Sequence, residues 1–299
     1  MLLLLVLQQP DLRESNLLCM HQIFDCTFKD LMHIHFTMIL TDTHTHLYHE
    51  TDPSKLAGLV ERALIAGVTR LFLPNVNAGS VPLVFNLVNL YPLHCFAMLG
   101  LHPCDVKETA TPEIKNYQEE LASLHQAIAS HQIYAIGEIG IDLYWDKTTL
   151  AIQQEAFVEQ IRWAKQLDLP IVIHCREAFD EVMEILHAEK DDKLRGIFHC
   201  FTGTVEQAKQ IIDLNFYLGI GGVLTYKKSG LDQVLQQISL EHIVLETDSP
   251  YLAPVPHRGK PNESSFIVHI AQAVADIKQI SIDEVARITT ANSKHIFGI

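Results

Sequence analysis

The sequence predicts an α/β protein built as a (β/α)8 TIM barrel, and three observations carry that expectation. From Ile39 onward, apolar runs of strand length alternate with helical patterns eight times in about 260 residues. The runs are nearly all apolar, as parallel strands covered on both faces require. Five of the eight end in His, Glu or Asp, the end at which barrels of this kind carry their active sites. A doubly wound open sheet is the alternative architecture. The absence of a G-x-G-x-x-G turn after the first strand weighs against a dinucleotide-binding version of it.

Taken in order, the first strand is Ile39–Thr43, followed by a helix over Pro53–Ala66 with Leu56, Leu59, Val60 and Ala63 on one stripe, stopped by Gly67. Thr69–Leu73 is the second strand, with its helix near Ser80–Leu90. The third, Cys95–Leu99, leads into Gly100-Leu101-His102-Pro103. A helix over Pro112–Ser130 follows, with Thr111 as N-cap and proline in the first turn. The fourth strand, Ile133–Ile136, runs into Gly137-Glu138-Ile139-Gly140, and Leu150–Gln166 is the long helix after it. The fifth is Pro170–His174 with a helix around Ala178–Ala188, and the sixth is Gly196–His199 with Val205–Leu214. Phe216–Ile220 pairs with a short helix at Leu231–Gln237. His242–Glu246 ends the set, and Ser264–Ile277 and Ile282–Ile296 close the chain.

No linker rich in Pro, Gly or Ser interrupts residues 38–299, which are expected to form one domain. Residues 1–37 read as an extension outside it, with Met38 the natural start. The apolar stretch Met1–Leu7 lacks a basic n-region and a small-residue cleavage site, and seven residues are too few to span a bilayer. Six cysteines without a C-x-x-C pair suit reduced thiols in the cytoplasm. The net charge of −14 offers nothing to attract a polyanion, so a nucleic-acid substrate needs bound cations or a local basic patch.

Seventeen histidines invite a search for metal ligands. His44 and His46, two residues apart at the end of the first strand, project from one face, as does Asp42. His33 and His35 repeat the spacing, but no helical segment follows His35 before the next strand, and the pair is expected to be a decoy. Glu138, His174, His199 and Asp248 each close a later strand. Four imidazoles and two carboxylates can hold two divalent cations, with Glu138 bridging through its two oxygens. Each residue has a plainer reading by itself: a strand-end histidine as a hydrogen-bonded structural group, a strand-end aspartate as a helix cap. The set is what points to metal.

Asp42-Thr43-His44-Thr45-His46, Gly137-Glu138-Ile139-Gly140-Ile141-Asp142, His174-Cys175-Arg176, His199-Cys200-Phe201 and Glu246-Thr247-Asp248-Ser249-Pro250-Tyr251-Leu252-Ala253-Pro254 resemble the TatD-family metal-dependent hydrolases, which belong to the amidohydrolase-like barrels. The resemblance runs from about Leu40 to the C-terminus. It implies a divalent-metal deoxyribonuclease with ligands at His44, His46, Glu138, His174, His199 and Asp248, Glu138 standing where related barrels use a carbamylated lysine. DNA is then the substrate partner, with no organic cofactor and no membrane involved. Zinc suits the imidazoles, while magnesium or manganese suits carboxylates and phosphate.

By the same resemblance His102 touches the substrate phosphate, the alternative being a loop histidine bonded to backbone. Arg258, in His257-Arg258-Gly259-Lys260, can grip a phosphate through two parallel hydrogen bonds, or else forms a surface salt bridge. Lys227-Lys228 reads as a solvated turn. Tyr144 and Trp145 read equally as a base-stacking surface or a hydrophobic lid. Asp248 is expected to act as both ligand and base, and the acidic chain favours exonuclease-like action on single-stranded ends. Hydrolysis of another ester or amide, such as an aminoacyl-tRNA, and a non-catalytic barrel with a structural metal remain the alternatives.

Overall fold

Eight parallel strands close into a ring in the computed structural model, which describes residues 38–110 and 115–299. His33, His35, Thr111 and the rest of residues 1–37 and 111–114 lie outside the described residues. The strands are β1 (Leu40–Asp42), β2 (Val68–Pro74), β3 (Cys95–Met98), β4 (Ile136–Asp142), β5 (Ile171–Arg176), β6 (Gly196–Phe198), β7 (Phe216–Ile220) and β8 (Ile243–Leu245). They pair in chain order, β1 to β3 and β4 to β8, all parallel. Single parallel bridges join the two sets, Leu99 with Ile136 and Thr45 with Ser249, so the sheet has no free edge.

The helices are α1 (Pro53–Ile65), α2 (Val81–Leu90), α3 (Tyr117–Ser130), α4 (Leu150–Leu167), α5 (Phe179–Ala188), α6 (Val205–Asp213), α7 (Leu231–Gln237), α8 (Ile267–Lys278) and α9 (Ile282–Phe297). Two expectations are corrected. The helix expected from Pro112 begins at Tyr117, where Asn116 accepts from the Glu119 amide and Glu119 answers to the Asn116 amide, a reciprocal pair that satisfies two helix-end donors at once. The fourth strand is not Ile133–Ile136 but Ile136–Asp142, so Glu138 lies inside it rather than at its end. Gly, Glu and Asp are poor strand formers by composition. Here the Gly137 amide bonds to Leu99 carbonyl oxygen and Gly140 and Asp142 pair with His174 and Arg176, and that two-sided pairing outweighs local preference. Gly140 is needed for it: a β-carbon there would sit 2.0 Å from the His174 carbonyl oxygen, at φ +141.

The period of two along a strand organises the barrel interior. Phe72, Met98, Ala135, Val172, Ile197 and Val244 form one buried apolar cluster with Ile296 and Phe297 of α9. The Phe297 ring stacks on Phe72 at 3.7 Å between centroids and so plugs the N-terminal end. Two residues beyond Val172, Ile197 and Val244 stand His174, His199 and Glu246. The face that supplies the apolar floor therefore supplies the polar residues above it.

Candidate active site

Four donor atoms converge above that floor. His44 Nε2 lies 3.2 Å from His46 Nε2 and 3.2 Å from Glu138 Oε2. Asp248 Oδ1 lies 3.8 Å from the first imidazole and 3.5 Å from the second, and His46 lies 3.7 Å from Glu138 Oε2. A tetrahedral ion with bonds near 2.0–2.2 Å would separate its ligand atoms by about 3.3–3.6 Å, so this donor set fits a divalent cation. Backbone bonds across the barrel seam hold the arrangement: the Asp248 amide to His44 carbonyl oxygen at 2.9 Å and the His46 amide to Ser249 carbonyl oxygen at 2.7 Å.

The other oxygen of Glu138 faces a second group. Oε1 is 2.9 Å from His174 Nδ1, 3.5 Å from His102 Nε2 and 3.8 Å from His199 Nε2. His199 Nε2 is also 3.8 Å from Asp248 Oδ1, which ties the two groups together. All six expected ligand positions thus meet at one mouth, and His102 joins them. Its Nδ1 also accepts from the Cys104 amide, the backbone bond expected of a loop histidine, while its Nε2 faces the cluster. Burial is graded: the side chains of His44 and Glu138 are 0% and 3% exposed, whereas Asp248 and His174 keep 14% and 17%. The cluster opens toward solvent on one side, unlike a closed structural metal site.

Two carboxylates that sequence reading left unassigned support these donors. Asp142 Oδ2 is 2.8 Å from His174 Nε2, so His174 turns its Nδ1 toward Glu138. Asp142 stands four residues past Glu138 on one strand face, a spacing visible in the sequence. Glu246 stands behind His44 and His199, with ligand-type atoms of all three within 4.8 Å of one another. Its Oε1 accepts from the Cys200 amide at 2.6 Å and lies 3.0 Å from His199 Nδ1. Glu246 Oε2, His44 Nδ1 and His199 Nδ1 are buried without hydrogen-bond partners. A carboxylate placed behind imidazoles can set their tautomer, which would leave the opposite nitrogens free to ligate a metal. Asp42 plays a different part, accepting from the Thr247 amide and hydroxyl.

The electrostatics follow from burial and pairing. Burial lowers the pKa of His44, His46 and His199 and favours their neutral form, the form in which an imidazole can bind a metal. Glu138 is held well below the usual carboxylate range against its burial by His102, His44 and His199. Burial pushes Asp248, Glu246 and Asp42 each up to about 7. Burial would lower His174, but the hydrogen bonds it donates to the Asp142 and Glu138 carboxylates raise it to about 9.

A raised folded-state pKa gives His174 a stabilising contribution that is complete below about 6.5 and lost as pH climbs through about 9. In metal-stripped protein that contribution is expected to fade over the interval, read by denaturant unfolding at a series of pH values. Asp142→Asn should make the decline shallower. A parallel profile in that variant would remove Asp142 from this part.

Around the mouth, Arg258 stacks on Tyr226 with its guanidinium carbon 4.3 Å from the ring centroid and forms no salt bridge among the described residues. Lys227 and Lys228 occupy an exposed turn. Tyr144 and Trp145, just past β4, are 49% and 70% exposed.

Two donor groups sharing one carboxylate at the C-terminal mouth of a closed parallel barrel define the metal-dependent hydrolase class. Known proteins of that class match the chain along nearly its whole length. A family model described as TatD related DNase matches residues 41–298. The metal-dependent hydrolase YabD of Bacillus subtilis is 37% identical over 262 residues, 87% of this chain and 100% of the relative. The 3′-5′ ssDNA/RNA exonuclease TatD of Escherichia fergusonii is 32% identical, covering 81% of this chain and 92% of its own. Among solved structures, the TatD homologue YjjV from Escherichia coli superposes with a TM-score of 0.80 at 27% identity, over 88% of this chain and 100% of that one. The chain belongs to the TatD-related DNase family and is a metal-dependent hydrolase.

Proposed function

We propose that the protein is a nuclease that removes nucleotides from an end of single-stranded DNA, using two divalent cations. The observation that carries this reading is the division of Glu138, whose Oε2 faces His44 and His46 while Oε1 faces His174, His102 and His199. His44, His46, Glu138 and Asp248 would hold one ion; Glu138, His174 and His199 the other. When bound, such ions polarise a phosphoryl oxygen and make water acidic near neutral pH. The name of the Escherichia fergusonii relative supports a strand end as substrate.

The chain's own residues do the rest. Asp248, on the solvent side of the cluster, accepts the proton of the attacking water at its carboxylate. His102 donates to a phosphate oxygen, and Arg258, held flat against Tyr226, grips another. Asp142 and Glu246 keep His174 and His199 aimed inward. A net charge of −14 disfavours wrapping a duplex, because non-specific DNA binding needs many cation contacts. A mouth that holds one or two nucleotides avoids that cost. Four cysteines of the described residues are free thiols, and no described helix is long and apolar enough to cross a membrane, which suits the cytoplasm.

The test is metal-stripped protein reloaded with magnesium, manganese or zinc and given 3′- and 5′-labelled single-stranded DNA beside a panel of esters and amides. Magnesium or manganese is expected to restore shortening from one end, even where purified protein carries zinc. Turnover of an ester or amide with DNA left intact would overturn the nuclease reading.

A further inference from the structure

The turn after β4 carries two large aromatic rings into solvent at the rim of the mouth. It is a fixed turn. Asp142 Oδ1 accepts from the Tyr144 and Trp145 amides at 2.9 and 3.1 Å, while its Oδ2 holds His174. One buried carboxylate thus sets both a residue of the donor cluster and the position of the two rings, which a hinged lid would not allow. The rings meet edge to face, 5.0 Å apart.

Arg176 completes the cluster. It stands two residues past His174 on β5, hence on the same strand face, and its carbonyl accepts from the Leu143 amide at 2.9 Å. Its guanidinium carbon lies 3.7 Å from the Tyr144 centroid and 5.7 Å from that of Trp145. Among the described residues no carboxylate pairs with it; the ion pair on this rim joins Lys147 and Glu177 at 3.6 Å. An unpaired planar cation laid on an aromatic face, beside an exposed indole, suits a ligand with an anionic group next to a flat ring.

We propose that Tyr144, Trp145 and Arg176 form a nucleotide subsite, in which the base adjoining the cleaved bond stacks on Trp145 and Arg176 contacts its phosphate. This deepens the nuclease reading and rests on it. It gives a chain of strong negative charge a local means of holding one nucleotide, and a base buried in duplex has no free face to offer. Base–aromatic stacking tolerates any base, so the subsite selects single strands without selecting sequence.

The test compares oligodeoxynucleotides that carry either a base or an abasic residue at each of the two terminal positions. Wild-type kcat/KM is expected to favour the intact strand by about 5- to 100-fold at one of them. Trp145→Ala should erase that ratio, and Arg176→Met should raise KM and make it less sensitive to salt. Trp145 is the exposed member of the chain's two tryptophans, Trp163 being buried. A phosphorothioate oligonucleotide that binds without being cut should therefore quench fluorescence in wild type and not in Trp145→Ala.

A ratio preserved in Trp145→Ala, or quenching unchanged by it, overturns the subsite. Methyl p-nitrophenyl phosphate, a diester with no base, separates the two ideas. Turnover of it and of DNA without discrimination against abasic strands removes the subsite alone. Failure on both substrates removes the nuclease reading and the subsite with it.

Discussion

Asp248→Asn is expected to lower turnover on single-stranded DNA by about 10²- to 10⁴-fold, the range over which a positioned proton acceptor acts, while leaving the barrel folded. Asp248 stands at φ +56, a backbone region that asparagine adopts readily. Its amide bond to His44 and its carbonyl bond from the Tyr251 amide are indifferent to the substitution. Burial already pushes its carboxyl up to about 7, so a neutral amide of the same shape removes an unfavourable charge from the metal-free protein. Thermal unfolding and kcat measured on one preparation check both halves. Turnover near the wild-type rate would end the assignment of Asp248 as base.

Glu138→Gln is expected to cost at least about 100-fold in turnover and to lower bound metal from two ions per chain toward one. The two outcomes come from one cause. Each oxygen of this side chain faces a different set of imidazoles, and an amide offers a single neutral acceptor where a carboxylate offers two charged ones. Asp248→Asn should leave more metal in place, so elemental analysis of the two variants distinguishes loss of the shared carboxylate from loss of the base. Full metal content in Glu138→Gln would remove the bridging assignment.

Some of this site was plain in the chain. His44, His46, His174, His199 and Asp248 each follow an apolar run, and in a parallel barrel that position is the mouth. The strand β7 and the helix α7 also stand where apolar patterning puts them. Other features were misread although a signal existed. Asn116 and Glu119 carry the spacing of a reciprocal helix cap, yet Pro112 draws the expected boundary five residues too early. Glu138 was placed at the end of a strand because the glycines around it argue against strand by local preference.

The sequence alone determined the barrel, through the repeat of apolar run and amphipathic stripe, and determined which residues stand above its floor, because side chains on a strand alternate faces with a period of two. Only the tertiary structure decided which of them touch. Thr45 meets Ser249 across 204 residues of chain, Asp142 reaches His174 across 32, and Glu246 lies behind His199. Such contacts depend on register and on ring closure, where an error of one residue turns every side chain to the opposite face. Local patterning carries no record of that register; the packing of eight strands against one another sets it.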